Sequence, residues 1–234
     1  MIDGPTLLAD ALAAGVEVDE VFTTGQHGDV VAAAVASGAR VREVTAEVLA
    51  RATDTVTPQG VAAVARRVEI PLDEALRSCQ TGPLAVALVD VADPGNAGTL
   101  VRAAEGAGAA AVLFCGSSVD PSNGKCVRAS AGALFHVPLA AGGDVTAVLE
   151  RLGDLGVRRA AAVVHGGTPY DQVDLTGPVA LVLGSEAHGL AASALEAVDE
   201  RLTIPMEGRS ESLNVAMAGS ILCFESLRQR RAAR

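Results

Sequence analysis

Residues 178–190 read PVALVLGSEAHGL, and residues 201–227 read RLTIPMEGRSESLNVAMAGSILCFESL. Two apolar strands are expected here, Val179–Leu183 and 202–205, each running straight into a glycine loop, at Gly184 and at Gly208. The second loop opens a helix expected to begin near Ser212. Along it, Ala216, Ala218, Gly219 and Ser220 stand where a buried face would carry large residues, so another backbone can approach closely. Strand ends, glycine loops and a helix N-terminus together make a pocket rich in backbone N–H groups. The rest of the chain is organised around it.

Working outward, residues 84–91 are a continuous apolar run, the pattern of a parallel strand buried on both faces. A turn at 93–96 follows, then a helix at 97–106, a strand at 110–115 and a helix at 123–131. A strand at 134–137, a helix at 144–155 and a strand at 160–165 lead into the opening stretch. Alternation of this kind, with six strands, means an α/β fold with a mostly parallel sheet. The N-terminal part alternates on a smaller scale. Helices are expected at 6–14, 29–37 and 46–52, and strands at 18–23, 41–44 and 61–65, with a turn at 55–60. Residues 69–81, with Pro71 and few large apolar groups, read as a linker. The expected division is a small α/β unit over 1–68, a linker over 69–81 and a larger domain over 82–234.

The 234 residues are 50% hydrophobic, enough for one large core or two small ones. No apolar run reaches the roughly 18 residues of a membrane span. The start MIDGPTLLAD has no basic segment followed by an apolar core, so no secretory signal is expected. Cys79, Cys115, Cys126 and Cys223 lie far apart without a C-x-x-C, which argues against a metal site and for reduced, buried thiols of a cytoplasmic protein. Net charge is −10, divided as 6 basic and 12 acidic residues up to Gln80 and 12 basic and 16 acidic beyond it. Neither part is therefore a basic nucleic-acid coat. One Tyr, four Phe and no Trp leave no aromatic base-stacking platform, so any RNA contact must come from local patches.

Familiar nucleotide signatures fail in detail. Gly124-Lys125 has Val119 at the first glycine position of a P-loop and Cys126 after the lysine. The run from Gly106 to Ala111 has the letters of a dinucleotide fingerprint, but a helix precedes it and a strand follows, the reverse of the required order. In Asp93-Pro94-Gly95-Asn96, Pro94 fixes φ and Asn96 is placed to cap the next helix. Arg102, two turns on, reads by itself as a solvated helix residue. Glu186 and His188 fall in a loop after a buried strand, where open α/β sheets bind ligands. Capping of a following helix by Ser185 or Glu186 is the equal alternative. One of Ser210, Ser212 and Asn214 caps the last helix, and three such residues within five exceed what capping needs.

Taken together, DPGNAGTLVRAAEGAGA, LVLGSEAHGL and IPMEGRSESLNVAMAGSI resemble the three sequence motifs of the SpoU family of RNA methyltransferases, within the SPOUT superfamily. Their order and spacing agree over 84–229, and KCVRASAGALFHVP between them resembles the family too. Residues 4–67 are similar to the family's small α/β RNA-recognition domain. In that family a helix and most of a strand usually precede the glycine aligned with Gly4, which implies a small unit shortened at its N-terminal edge.

The resemblance implies transfer of a methyl group from S-adenosylmethionine to a ribose 2′-hydroxyl, in ribosomal RNA ahead of transfer RNA. The rival is an RNA-binding or assembly protein that keeps the fold without transfer. It also implies a C-terminal trefoil knot and a homodimer with the active site near the subunit contact. Gly184, Ile204 and Leu213 fall where the family binds the donor. Asn96, Arg102, Glu186, Ser212 and Asn214 fall on its polar active-site positions. Arg102 is the family's candidate for acting on the hydroxyl, but a guanidinium with a pKa above about 12 is a poor base. The expected role is a clamp on the adjacent phosphate and the developing alkoxide. Asn96 would orient Arg102 or the ribose, Glu186 would fix the arginine, and Ser212 and Asn214 would close the pocket.

Overall fold

The computed structural model describes residues 1–53, 55 and 57–234. Its first elements are β1 (Ile2–Asp3), α1 (Pro5–Ala13), β2 (Val18–Thr23), α2 (Gly28–Ala36), β3 (Arg40–Glu43), α3 (Ala46–Ala52) and β4 (Val61–Ala65). The strands form a sheet of order β1-β4-β2-β3, in which β2 and β3 are parallel and β4 is antiparallel to both its neighbours. Helices α1 and α2 close one face over Val21, Val61 and Ala63. Edge strand β3 is exposed along its length. The turn expected at 55–60 includes residue 56, which lies outside the described residues.

The second set is α4 (Leu72–Thr81), β5 (Leu84–Val89), α5 (Pro94–Gly106), β6 (Ala111–Cys115), α6 (Gly124–Ala129), β7 (Leu139–Ala141), α7 (Val145–Asp154) and β8 (Arg158–Ala162). It continues through β9 (Thr168–Pro169), β10 (Val179–Leu183), α8 (Ala192–Glu196), β11 (Glu200–Thr203) and α9 (Val215–Ala232). These strands make a seven-stranded sheet of order β7-β6-β5-β10-β8-β11-β9, every neighbouring pair parallel. Strands β5, β6 and β10 are buried at every position. Leu100, Val101 and Ala104 of α5 and Leu222 and Cys223 of α9 cover one face. Leu76 and Cys79 of α4 and Leu149 and Leu152 of α7 cover the other. Two covered faces explain the unbroken apolar runs.

Residues 69–81 are not the expected linker, because most of them form α4. That helix buries only Ala75, Leu76 and Cys79, a stripe of small and medium side chains. Gly82 then lets the chain close against Ala110, whose Cβ occupies the space a side chain would need. The strand expected at 134–137 is a 3-10 turn at Ala133–Phe135, entered through left-handed Ala131 and Gly132 (φ 50° and 93°), and pairing starts only after Pro138, at β7. Strand β8 ends at Ala162, short of the expected 165. Two-residue β1 and β9 were not anticipated.

The two sheets meet beside α6. His136 Nε2 lies 2.9 Å from Asp10 Oδ1, and Arg67 pairs with Asp120.

Candidate active site

Beyond β10, residues 184–190 turn back on themselves. Ser185 N–H donates to Gly189 O at 3.1 Å, and Gly189 N–H returns to Ser185 O at 2.9 Å. A Cβ on buried Gly184 would lie 2.5 Å from Gly189 C and 2.7 Å from Leu190 N, so the turn closes only around a glycine. Ser185 Oγ accepts the N–H groups of Ala187 and His188, each at 3.3 Å. It steadies the turn instead of capping a helix, since α8 starts later and without a side-chain cap.

Beyond β11, residues 204–213 make no hydrogen bond within the chain among the described residues. Helix α9 starts at Val215 and not near Ser212. The cap is Asn214, whose Oδ1 accepts Ala216 N–H at 2.9 Å and Met217 N–H at 3.3 Å. The small residues Ala216 and Gly219 pack within the chain, where Gly219 lies against the side chains of Leu100 and Leu183. Ser220 Oγ donates to Ala216 O at 2.7 Å.

Helix α5 is capped by Asp93 and not by the expected Asn96. Asp93 Oδ1 accepts Asn96 N–H at 2.8 Å, and Pro94 takes a first-turn position that needs no N–H. The Asn96 side chain is thereby released for the site. Asn214 has its oxygen on the helix, so its amide must donate, and it does so to Asn96 Oδ1 at 3.0 Å. That leaves Asn96 Nδ2 to donate to Glu186 Oε1 at 2.9 Å. One residue from each of the three motif stretches thus joins a single chain of bonds.

A cavity of about 580 Å³ opens between the two loops, lined by Gly184, Ile204, Leu213, Glu186, Ser212 and Asn214. Asn96 reaches it through Glu186 and Asn214. Arg102 stands apart: it is exposed on α5, and its side chain has no hydrogen bond or ion pair among the described residues. A third wall, Ala162–His165, was missed from sequence, because a strand was expected to continue where the loop begins. Gly166-Gly167, directly after it, was the available signal. All four cysteines are buried, and desolvation pushes each thiol up to about 12, which leaves them protonated and unreactive. No cluster of three or more metal-ligating side chains occurs among the described residues.

Residues 83–224 match the SpoU rRNA Methylase family, and residues 1–63 match the MRM3-like substrate binding domain. The chain belongs to the SpoU family. Among SpoU-type relatives, RlmP of Bacillus subtilis, a 23S rRNA (guanosine(2553)-2′-O)-methyltransferase, is 32% identical over 225 residues, which cover 96% of this chain and 86% of the relative. The AdoMet-bound rRNA methyltransferase of Sinorhizobium meliloti superposes with a TM-score of 0.85 at 32% identity, over 97% of this chain and 85% of that one. The SpoU methyltransferase AviRb of Streptomyces viridochromogenes, in complex with AdoMet, gives a TM-score of 0.87 over 99% of this chain and 90% of that one. At 24% identity that last likeness speaks for the fold alone.

Proposed function

We propose that this SpoU-family chain transfers the methyl group of S-adenosylmethionine to a ribose 2′-hydroxyl of RNA, ribosomal RNA ahead of transfer RNA. The observation that carries the reading is the meeting of Asn96, Glu186 and Asn214 at the rim of a cavity lined by Gly184, Ile204 and Leu213. The cavity suits the donor. Its volume is in the range of small-ligand sites, about 300–1,000 Å³. Leucine and isoleucine walls suit a purine, and the backbone groups of 204–213 have no partners among the described residues. When bound, the donor supplies an electrophilic methyl group on a sulfonium.

The chain's own work is placement and charge stabilisation. Asn96 is held at both ends of its amide, so it offers a fixed polar edge at the cavity mouth. Arg102, cationic and without a side-chain partner among the described residues, clamps the phosphate next to the target ribose and stabilises the oxygen as its proton is released to solvent. Ser212 and Asn214 close the site over the ribose. Residues 1–68 serve as the RNA-recognition unit and 82–234, with α4 packed on its sheet, as the transferase. The substrate-domain match over 1–63 and the 23S rRNA substrate of the Bacillus subtilis relative favour ribosomal RNA.

The protein works as a homodimer in the cytoplasm, with a trefoil knot in its C-terminal part. The exposed stripe Met217, Ile221 and Phe224, at 57%, 36% and 50% exposure, favours a second copy against α9. For the threading, β10 is inserted between β5 and β8 while Gln229 and Ser226 of α9 bond the 173–175 segment. Among the described residues no helix is long and apolar enough to cross a membrane. The test is methylation of ribosomal and transfer RNA from cells lacking the gene, beside donor calorimetry and sedimentation. Methyl transfer to ribosomal RNA, one donor per protomer and a dimer mass are expected. Donor binding without transfer to either RNA would make this a binding protein, and a one-protomer mass at micromolar concentration would end the dimer reading.

A further inference from the structure

Asp93 and Lys125 lie outside the cavity, on either side of the start of α5. Asp93 Oδ1 takes the Asn96 N–H at 2.8 Å, and Lys125 Nζ meets Asp93 Oδ2 at 3.0 Å. One carboxylate therefore joins the first turn of α5 to α6. The Asn96 N–H, and after it the Lys125 ammonium, hold the Asp93 carboxyl below its usual range, so it stays ionised at neutral pH. The lysine stem crosses Gly95, where a Cβ would lie 3.3 Å from Lys125 Cε and 2.9 Å from Asp93 Oδ1. Helix α6 packs directly on α5 at Gly98. A Cβ on Gly98 of α5 would run into Cys126 O and lie 2.7 Å from Ala129 Cβ.

Capping alone does not require the lysine, because Asp93 satisfies the Asn96 N–H by itself. Nor does stability account for it. The side chains of Lys125 and Asp93 are 58% and 44% exposed, and pairs that open contribute little to folding. What the pair does supply is orientation. Asn96 must present its amide one way round to Glu186 and Asn214, and its backbone N–H sits on the pinned carboxylate.

We infer that Asp93 and Lys125 are positioning residues for methyl transfer: their ion pair fixes the first turn of α5 and, through it, the Asn96 amide at the cavity mouth. Neither touches substrate. The inference rests on the proposed transfer reaction and adds to it the device behind Asn96.

The test compares Lys125→Met and Asp93→Asn with Arg77→Met, which removes an exposed cation from α4. Asparagine caps about as well as aspartate, so Asp93→Asn keeps the helix start and loses only the pin. Melting temperature, donor Kd and RNA KM should hold in all three, while kcat falls about tenfold or more in the two site variants. The double variant should be no slower than either single one, because a shared device is lost once. Lys125→Arg, still able to reach the carboxylate, should restore most of the rate. Nitrogen-15 NMR of the Asn96 side-chain amide reads the same device without RNA: its resonances should move in both site variants and stay in Arg77→Met. Unmoved resonances overturn the inference. So does a rise in RNA KM confined to Lys125→Met with Asp93→Asn at the wild-type rate, which would make Lys125 a phosphate contact. Wild-type protein that binds donor and methylates no RNA removes the transfer reading instead, and the amide resonances still decide for or against the device.

Discussion

The turn after β10 and the loop after β11 face each other across one cavity and are held in opposite ways. Residues 184–190 close through two backbone bonds between Ser185 and Gly189, with Gly184 packed on the Gly189–Leu190 peptide. Residues 204–213 make no bond of their own among the described residues and are fixed only at their ends, by β11 and by the Asn214 cap. One wall exists before any ligand arrives. The other leaves its backbone groups without partners among the described residues, so a ligand that bonds them is expected to order it, at a cost in entropy.

The strongest way to break this contrast is to spoil the finished wall. Gly184→Val drives a branched side chain into the Gly189–Leu190 backbone, where even a Cβ would sit at 2.5 Å. Overpacking of this kind costs about 1–3 kcal/mol. The expected result is a folded protein with a lowered melting temperature and no donor binding by calorimetry. Wild-type affinity in Gly184→Val would mean that the 184–190 turn is not a wall of the donor site.

Arg102 belongs to neither loop, which separates rate from affinity. Arg102→Ala should leave melting temperature and donor Kd unchanged and lower single-turnover methyl transfer by about a hundredfold, the scale for losing a charge-stabilising group. Arg102→Lys should rescue poorly, because one ammonium cannot reproduce the planar fork. An Arg102→Ala enzyme transferring at the wild-type rate would leave Arg102 a solvated helix residue and remove the proposed clamp.

The same contrast explains what could be read from sequence. Strand β10 and the turn after it were legible, because burial on both faces leaves only apolar letters and a tight turn demands glycine. Strands β2 and β4 and helix α3 fall where expected. Helix α4 was hidden because it is short and buries only Ala75, Leu76 and Cys79. The candidate site was legible only through the family motifs. No spacing rule brings Asn96 to Glu186 or Asn214, which are 90 and 118 residues away, or Lys125 to Asp93. The swap of caps, Asp93 for Asn96, was invisible too, because both residues suit the position chemically and only the fold decides which one is left free.

The smallest effect concerns acid, and it falls on one loop only. Strand β11, which carries the 204–213 loop, is tied to β8 by Asp199: its Oδ2 accepts Arg159 N–H at 2.7 Å and Nε–H at 2.8 Å, and its Oδ1 accepts Nη2 at 2.6 Å. The Arg159 side-chain bonds hold the Asp199 carboxyl below its usual range. A carboxyl depressed on folding stabilises fully above its unfolded pKa, about 3.9, and that stabilisation is lost as pH falls through the lower folded value. Nothing should therefore change between pH 8 and 5. The turn at 184–190 is closed by backbone groups that do not titrate. Hydrogen exchange, expressed as protection factors, should show Ser185 and Gly189 protected with or without donor, and 204–213 protected only with donor. Below about pH 4 the donor-dependent protection of 204–213 should fade first, with Ser185 and Gly189 still closed. Asp199→Asn at pH 7 should mimic this with a loss of donor affinity of only a few-fold, because the pair is partly open to water. Simultaneous loss of protection in both loops would mean that they are held by one cooperative unit, and the distinction between a finished wall and a ligand-ordered one would fall.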